Sequence, residues 1–369
     1  MTWTVQEIEQ TFLNGKISAF GLAPELVVAC FERTERLLGR DWITSQQSGK
    51  GLMVTIPVID MGLRLPALDG VADAESLLNN LRKRDQNADA ELTALHLFRS
   101  AHPTSPVELY PEADGRVADF RIRVENAPWT TVEVTQPEAS AEKQRLQKIL
   151  ARFTDALSNL KNQCVLEIVF NREPTEDEIQ VLCNRLPEFC VLEGPQQAKL
   201  VDDIGFLFLN QSPVNQLIEN VIPGKKNIPM TGVVMFVGGG PDGGPHHQVV
   251  VRIPFTDDRA EDILRDEAKQ VPKDDQGLVM IDVSHANGSF ESWASVFQRR
   301  FQPNMHTRVS GVCLFEGGMR PLERGYEWLV KTQLLTNPYA KCKLSEWVNT
   351  AITQAGAKYA QLGKDVSST

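Results

Sequence analysis

The stretch Ala118–Thr135, ADFRIRVENAPWTTVEVT, carries the pattern on which the rest of the chain turns. Apolar and polar residues alternate on either side of Glu125–Pro128, where Asn126 and Pro128 interrupt both runs. That pattern predicts two short strands joined by a turn. Side chains on a strand point alternately to opposite faces. The first strand therefore sets Asp119, Arg121 and Arg123 on one face, with Phe120, Ile122 and Val124 on the other. The second sets Thr131, Glu133 and Thr135 against Thr130, Val132 and Val134. If Arg123 pairs with Trp129 across the loop, Asp119 falls opposite Glu133 on the same face. Two carboxylates held there repel unless a cation lies between them or one takes up a proton. The pair is a candidate metal site.

Working outward, ELTALHLFRSAHP before the hairpin reads as a helix from Glu91, with Leu92, Leu95 and Phe98 on one face and Pro103 ending it. VELYPE (107–112) reads as a strand, with ADG as a turn after it. Beyond the hairpin come QPEAS, an amphipathic helix over about 141–160, and the strand CVLEIVF (164–170). The order helix, three strands, helix, strand predicts an α/β fold in which a mixed β-sheet is flanked by helices.

Glu91 on a leading helix, Asp119 opening one strand and Glu133-Val134-Thr135 on the next, followed by a helix, resemble the PD-(D/E)XK nuclease superfamily. The resemblance covers roughly residues 91–170 and implies a restriction-endonuclease-like core. It departs from the family pattern at two positions. Ala118 stands where a proline is usual, and Thr135 stands where the family has its lysine. The resemblance implies a metal-dependent nuclease, a hydrolase of phosphodiester bonds with DNA as its expected substrate. Mg²⁺ or Mn²⁺ would take oxygen ligands from Asp119, Glu133, the backbone carbonyl of Val134 and Glu91. Thr135 could position a water but cannot offset a developing negative charge. A cation from elsewhere is then required. Lys143 in the next helix is the first candidate, Lys269 the second, and a second metal ion the third. Asp282, near the end of the strand GLVMIDVS, ranks below these. Glu167, alone in an apolar strand, reads as a paired structural carboxylate or a support to the site.

The flanks are plainer. PELVVACFERTERLLG from Pro24 is a predicted helix with Gly39 as its stop, and 72–85 is a second, charged helix. LMVTIPVIDMGLRL (52–65) reads as a strand or buried loop, and the polar run near 84–90 as a break. In EPTEDEIQVLCNRL, Thr175 and Glu178 form a predicted capping box. GVVMFVG and HHQVVVRIPF read as strands around GGPDGGP, a hairpin tip that lacks the Lys-Ser/Thr of a phosphate loop. His246 and His247 fall at the loop or strand start. RAEDILRDEAKQVP reads as a helix, SGVCLFEGG as a strand, WLVKTQLLTNPYAK as a helix or strand, KLSEWVNTAITQAG as a helix and QLGKDVSST as a frayed tail. The expected regions are 1–88, mainly helical; 89–285, the nuclease-like α/β core with an insertion; and 286–369, an α/β extension.

A net charge of −10 excludes a protein that simply coats nucleic acid. A local basic patch is compatible with it. The opening MTWTVQEIEQ has no basic and apolar leader pattern, and no apolar run approaches the ~18 residues of a membrane span. Six scattered cysteines without a CxxC pair suit reduced thiols. Together these point to a cytoplasmic protein without a membrane partner. Nucleic acid is the expected partner, with a protein partner or a second copy as the alternative. Two other functions fit the same residues. The chain could hold a nuclease fold that binds nucleic acid or protein without cutting, or it could be an unrelated α/β interaction protein with decorative hairpin carboxylates. A basic groove beside Asp119 and Glu133 would separate both nuclease-fold cases from the last.

Overall fold

The hairpin forms as the alternation requires, and its register fixes the site. A computed structural model describes residues 3–13, 15–46, 50–137, 141–157, 164–172, 174–192, 194–200, 204–210, 230–238, 246–254, 259–284, 290–322 and 325–358. In chain order the strands are β1 (Val107–Leu109), β2 (Glu112–Ala113), β3 (Arg116–Val117), β4 (Phe120–Ile122), β5 (Thr130–Thr135), β6 (Val165–Phe170), β7 (Gln196–Lys199), β8 (Gly205–Leu209), β9 (Met230–Gly238), β10 (His246–Pro254), β11 (Gln276–Asp282), β12 (Val309–Leu322) and β13 (Gly325–Thr336). β4 runs antiparallel to β5, with Phe120 opposite Val132, Arg121 opposite Thr131 and Ile122 opposite Thr130. Continued one residue each way, this ladder sets Arg123 across from Trp129 and Asp119 across from Glu133.

The chain divides into two compact units. The first joins 1–137 with 261–284 and 297–369, and the second joins 138–260 with 285–296. This division cuts across the boundaries read from the sequence. Residues 1–88 belong to the same unit as the hairpin, and residues 138–260 of the second unit are inserted between β5 and β11.

The first unit holds a six-stranded mixed sheet in the order β1-β4-β5-β11-β12-β13. β5 and β12 both run parallel to β11. The N-terminal end of β4 and the C-terminal ends of β5 and β11 therefore meet at one end of the sheet. Phe120, Ile122, Val132, Val134, Leu278 and Met280 share an apolar core with the N-terminal helices. Within that core a Cβ on Gly62 would lie 2.5 Å from that of Cys30, so glycine permits the close approach of helices Pro24–Leu38 and Leu52–Arg64.

Leu52–Arg64 is a helix, not the strand or loop expected, and it continues into a 3₁₀ turn at Leu65–Leu68. A short apolar run rich in Val, Ile and Thr reads equally as a strand or as a fully buried helix. Tertiary burial decides between them here. The polar break near 84–90 is also corrected. Asp85 caps the helix Gln86–Ala101 by accepting from the amides of Asn87 and Ala88, so the polar residues are its exposed first turn. Glu91 consequently sits in the second turn.

The second unit contains a five-stranded sheet in the order β7-β8-β6-β10-β9. Cys164–Phe170 was expected to close the hairpin's sheet, but β6 lies in this second sheet, paired parallel to β10. The parallel neighbour of β5 is β11. An apolar strand looks the same whichever sheet receives it, so its pattern could not assign it. Thr175 and Glu178 form the capping box of helix Glu176–Cys190. GGPDGGP and QLGKDVSST lie outside the described residues. Of the ambiguous segment WLVKTQLLTNPYAK, residues 328–336 lie in strand β13. All six cysteines are free thiols. Among the described residues, no helix is long and apolar enough to cross a membrane.

Candidate active site

The helix Gln86–Ala101 delivers Glu91 to the sheet. Side chains at i and i+7 share a helix face, so Phe98 and Glu91 point the same way. Phe98 packs edge-on against Phe120 of β4, with ring centroids 6.2 Å apart. A buried arginine pins the same helix from the other side. Arg64 reaches Asp60 at 2.5 Å, Asp89 Oδ1 at 3.0 Å and Thr93 Oγ1 at 2.7 Å. Asp89 and Thr93 flank Glu91, so this clamp fixes the turn that carries it.

Tyr110 secures Glu91 at the carboxylate. Its hydroxyl donates to Glu91 Oε2 at 3.0 Å, and Asn80 hydrogen-bonds the same hydroxyl. Tyr110 has φ 51, a left-handed conformation uncommon for a bulky residue. Its backbone N–H meanwhile donates to the carbonyl of Asp119 at 2.9 Å, joining the two acidic positions through one residue.

Asp119 lies just before β4, half-buried, and its Oδ2 accepts from the backbone N–H of Val134 at 2.6 Å. The N–H and C=O of one strand residue point to the same side. The Val134 carbonyl thus also faces the β4 side, as a ligand role would require. Glu133 is 1% exposed, and its Oε1 is buried without a hydrogen-bond partner. Thr135, half-buried at the end of β5, hydrogen-bonds Glu267.

Glu267 is the member the sequence did not disclose. It ends the helix Arg259–Glu267, in a run of charged residues with nothing to distinguish it from its neighbours. Its place beside Thr135 arises from tertiary structure alone. Tyr110 was likewise unmarked within VELYPE.

The electrostatics identify these carboxylates as one cluster. Burial, then repulsion from Asp119, Glu267 and Glu91, pushes Glu133 up to about 10. Burial and the charge of Asp119 raise Glu91 to about 8, opposed by the Tyr110 hydrogen bond. Burial and Asp119 raise Glu267 to about 7, with the Thr135 hydrogen bond opposing. Burial raises Asp119 to about 6 against the stabilising Val134 amide. Among the described residues none of these four has an ion-pair partner, and the groups that steady them are neutral donors. Every shift is upward because negative charge is gathered and dehydrated without compensation.

The remaining candidates stand elsewhere. Lys269 is exposed and paired with Asp266 at 2.6 Å. Lys143 falls in the first turn of helix Ala141–Leu157, and its side chain lies outside the described part of the structure. Asp282 accepts from Gln136 Nε2 at 3.0 Å and from the Ser284 amide at 2.9 Å, which gives it a role tying strand ends together. Glu167 lies on β6 of the other sheet, ion-paired with Arg252 at 2.5 Å.

The donor set fits a hard divalent cation by type. It offers only carboxylate oxygens and one strand-end carbonyl, and the orphaned Glu133 Oε1 lacks a partner that a cation would supply. The oxygens are not drawn together as a finished cage: among the described residues, no three His, Cys, Asp or Glu side chains already form a ligand group. The sequence matches no protein-family model and no curated protein, so the chemistry has to be read from this geometry.

Proposed function

We propose that the chain is a divalent-cation-dependent phosphodiesterase acting on nucleic acid, with DNA as the leading substrate. The observation that carries this is Glu133, a strand carboxylate buried to 1% exposure with an unpartnered oxygen and three further carboxylates raising its proton affinity. A buried carboxylate in such surroundings costs stability unless something positive joins it. With the inserted unit and the small β2-β3 hairpin set aside, the order of elements is helix Gln86–Ala101, β1, β4, β5, helix Arg259–Glu267, β11. That order supports a restriction-endonuclease-like core.

Asp119, Glu133 and the Val134 carbonyl would hold Mg²⁺ or Mn²⁺, with Glu91 completing the set. Such an ion, when bound, polarises a phosphate and makes a coordinated water more acidic. The protein's own residues do the remaining work. The Val134 amide orients the Asp119 carboxylate, and Tyr110 orients Glu91. Thr135 holds Glu267 where the family places its lysine, so a proton-accepting group replaces a cationic one. Glu267, with its proton affinity near neutrality, is suited to accept a proton from an attacking water at that position.

A protein that binds nucleic acid without cutting is the alternative, and Thr135 favours it. No lysine or arginine among the described residues pairs with the cluster to offset charge on a phosphate in the transition state. Cleavage assays with Mg²⁺ or Mn²⁺ on single- and double-stranded DNA and RNA decide. Cutting lost by on the order of 10²-fold or more in both Asp119→Asn and Glu133→Gln, at unchanged melting temperature or above it, supports the enzyme. A wild-type chain that cuts none of these substrates, though it binds them, leaves the non-cutting alternative.

A further inference from the structure

The face of the hairpin that carries Asp119 and Glu133 continues away from them into a cationic and aromatic strip. Arg121 and Arg123 share that face of β4, and Trp129 stands opposite Arg123 in the continued register. The Arg121 guanidinium lies 4.8 Å from the centre of the Trp129 ring, and that of Arg123 lies 4.6 Å from it. Both contacts fall within the range of cation–π attraction. Arg116 joins this strip, since Arg116, Arg121 and Thr131 line one narrow cleft together with Gln270 and Asp275.

These arginines differ in how their charge is satisfied. Arg121 is ion-paired with Glu108 at 2.6 Å. Arg123 has a buried Nε with no hydrogen-bond partner, and Arg116 has a buried Nη1 in the same condition. Neither has an ion pair among the described residues. Asp275, the acid in the cleft, already accepts from Thr131 Oγ1 at 2.9 Å. Elsewhere on the molecule Arg172 pairs with Glu178 and Arg252 with Glu167. Guanidinium groups match phosphate oxygens in geometry as well as charge.

We propose that this strip is the backbone-binding track for the nucleic-acid strand, with Arg123, steadied on Trp129, and Arg116 as its phosphate ligands. The proposal rests on the nuclease reading for its choice of ligand and extends it to how the substrate is held. Arg123 is four residues from Asp119, ~14 Å along the strand direction, so the arginines and the carboxylates lie within the span of one nucleic-acid strand. Contacts of this kind position a backbone without reading its sequence. Binding is therefore expected to be insensitive to base order.

The test is fluorescence anisotropy of labelled single-stranded and duplex DNA with the full-length chain in EDTA, repeated over a range of salt. Arg123→Gln and Arg116→Gln are each expected to weaken binding roughly 5- to 10-fold. Each should also flatten the slope of log affinity against log salt by about one. Arg123→Lys, which keeps the charge but loses the fork, is expected to fall between Arg123→Gln and wild type. Arg265→Ala, which removes an exposed arginine paired with Asp262, serves as the control and should leave affinity unchanged. The proposal is overturned if the wild type binds and both glutamine variants bind equally well with the same salt slope. It is also overturned if the wild type binds neither DNA. A wild type that binds through Arg116 and Arg123 but never cuts would refute the enzyme and leave the track standing. A wild type that cuts while both variants cut and bind normally would do the reverse.

Discussion

Glu133 and Glu167 make a natural pair. Each is the single charge within an apolar strand, in TTVEVT and VLEIVF, and each is 1% exposed. Their neighbours differ. Glu167 meets Arg252, which lies diagonally across the parallel strand β10, and the two close an ion pair at 2.5 Å. Glu133 faces Val279 on one side, the Asp119 position on the other, and retains an oxygen without a partner. One strand buries a charge together with its counter-charge, as structure demands. The other buries an acid among other acids. Uncompensated burial is an expense that folding alone gives no reason to keep, and this is why Glu133, and not Glu167, is the candidate functional residue.

The largest effect that could break this contrast is expected at Arg252. Arg252→Ala removes the charged partner of the buried Glu167, and should destabilise the unit that holds it by about 2–4 kcal/mol. The figure is set below the fully buried case because the arginine side chain is 34% exposed. Denaturant unfolding would measure it. A loss below about 0.5 kcal/mol, the level of a surface pair, would show that Glu167 does not depend on its partner and would weaken the comparison.

Glu133→Gln should act in the opposite direction. Without divalent cations near neutral pH, replacing an acid among acids with a neutral isostere is expected to raise stability by on the order of 1–2 kcal/mol. A comparable loss would mean that the carboxylate makes a structural bond, and Glu133 would join Glu167.

The smallest of these effects is in the slope of stability against pH. Glu133, Glu91, Glu267 and Asp119 are raised to about 10, 8, 7 and 6. Folded carboxyls with raised values hold protons that the unfolded chain releases. Their contribution is therefore full below about pH 4 and is lost as pH climbs through 6 to 10. Metal-free protein should lose melting temperature across that window, and Glu133→Gln should make the decline shallower. A flat or rising profile would contradict the assigned shifts.

How much of this was legible beforehand follows from where each contact lies along the chain. The hairpin is local, and alternation with a Pro-containing turn was enough to read it; the Asp119–Glu133 pairing was conditional on Arg123 meeting Trp129, a register the ladder supplies. Glu91 was legible as a residue on a helix, though the helix begins a turn earlier, at Gln86. Glu267 was not legible. It reaches the site across an insertion of more than a hundred residues, and no spacing rule spans that distance. The assignment of Cys164–Phe170 failed for the same physical reason, because an apolar strand does not encode which sheet it joins. Leu52–Arg64 failed because complete burial erases the periodicity that separates helix from strand.

The most direct test of the central claim, that Asp119 and Glu133 are held for a cation, is calorimetric titration of the metal-free chain with Mn²⁺ at mildly alkaline pH. Binding by the wild type is predicted to weaken by roughly 10-fold or more in Asp119→Asn and in Glu133→Gln, while Glu167→Gln, the matched carboxylate in the other sheet, binds as the wild type does. No binding by the wild type at millimolar Mn²⁺, or equal binding by all the variants, would contradict the account.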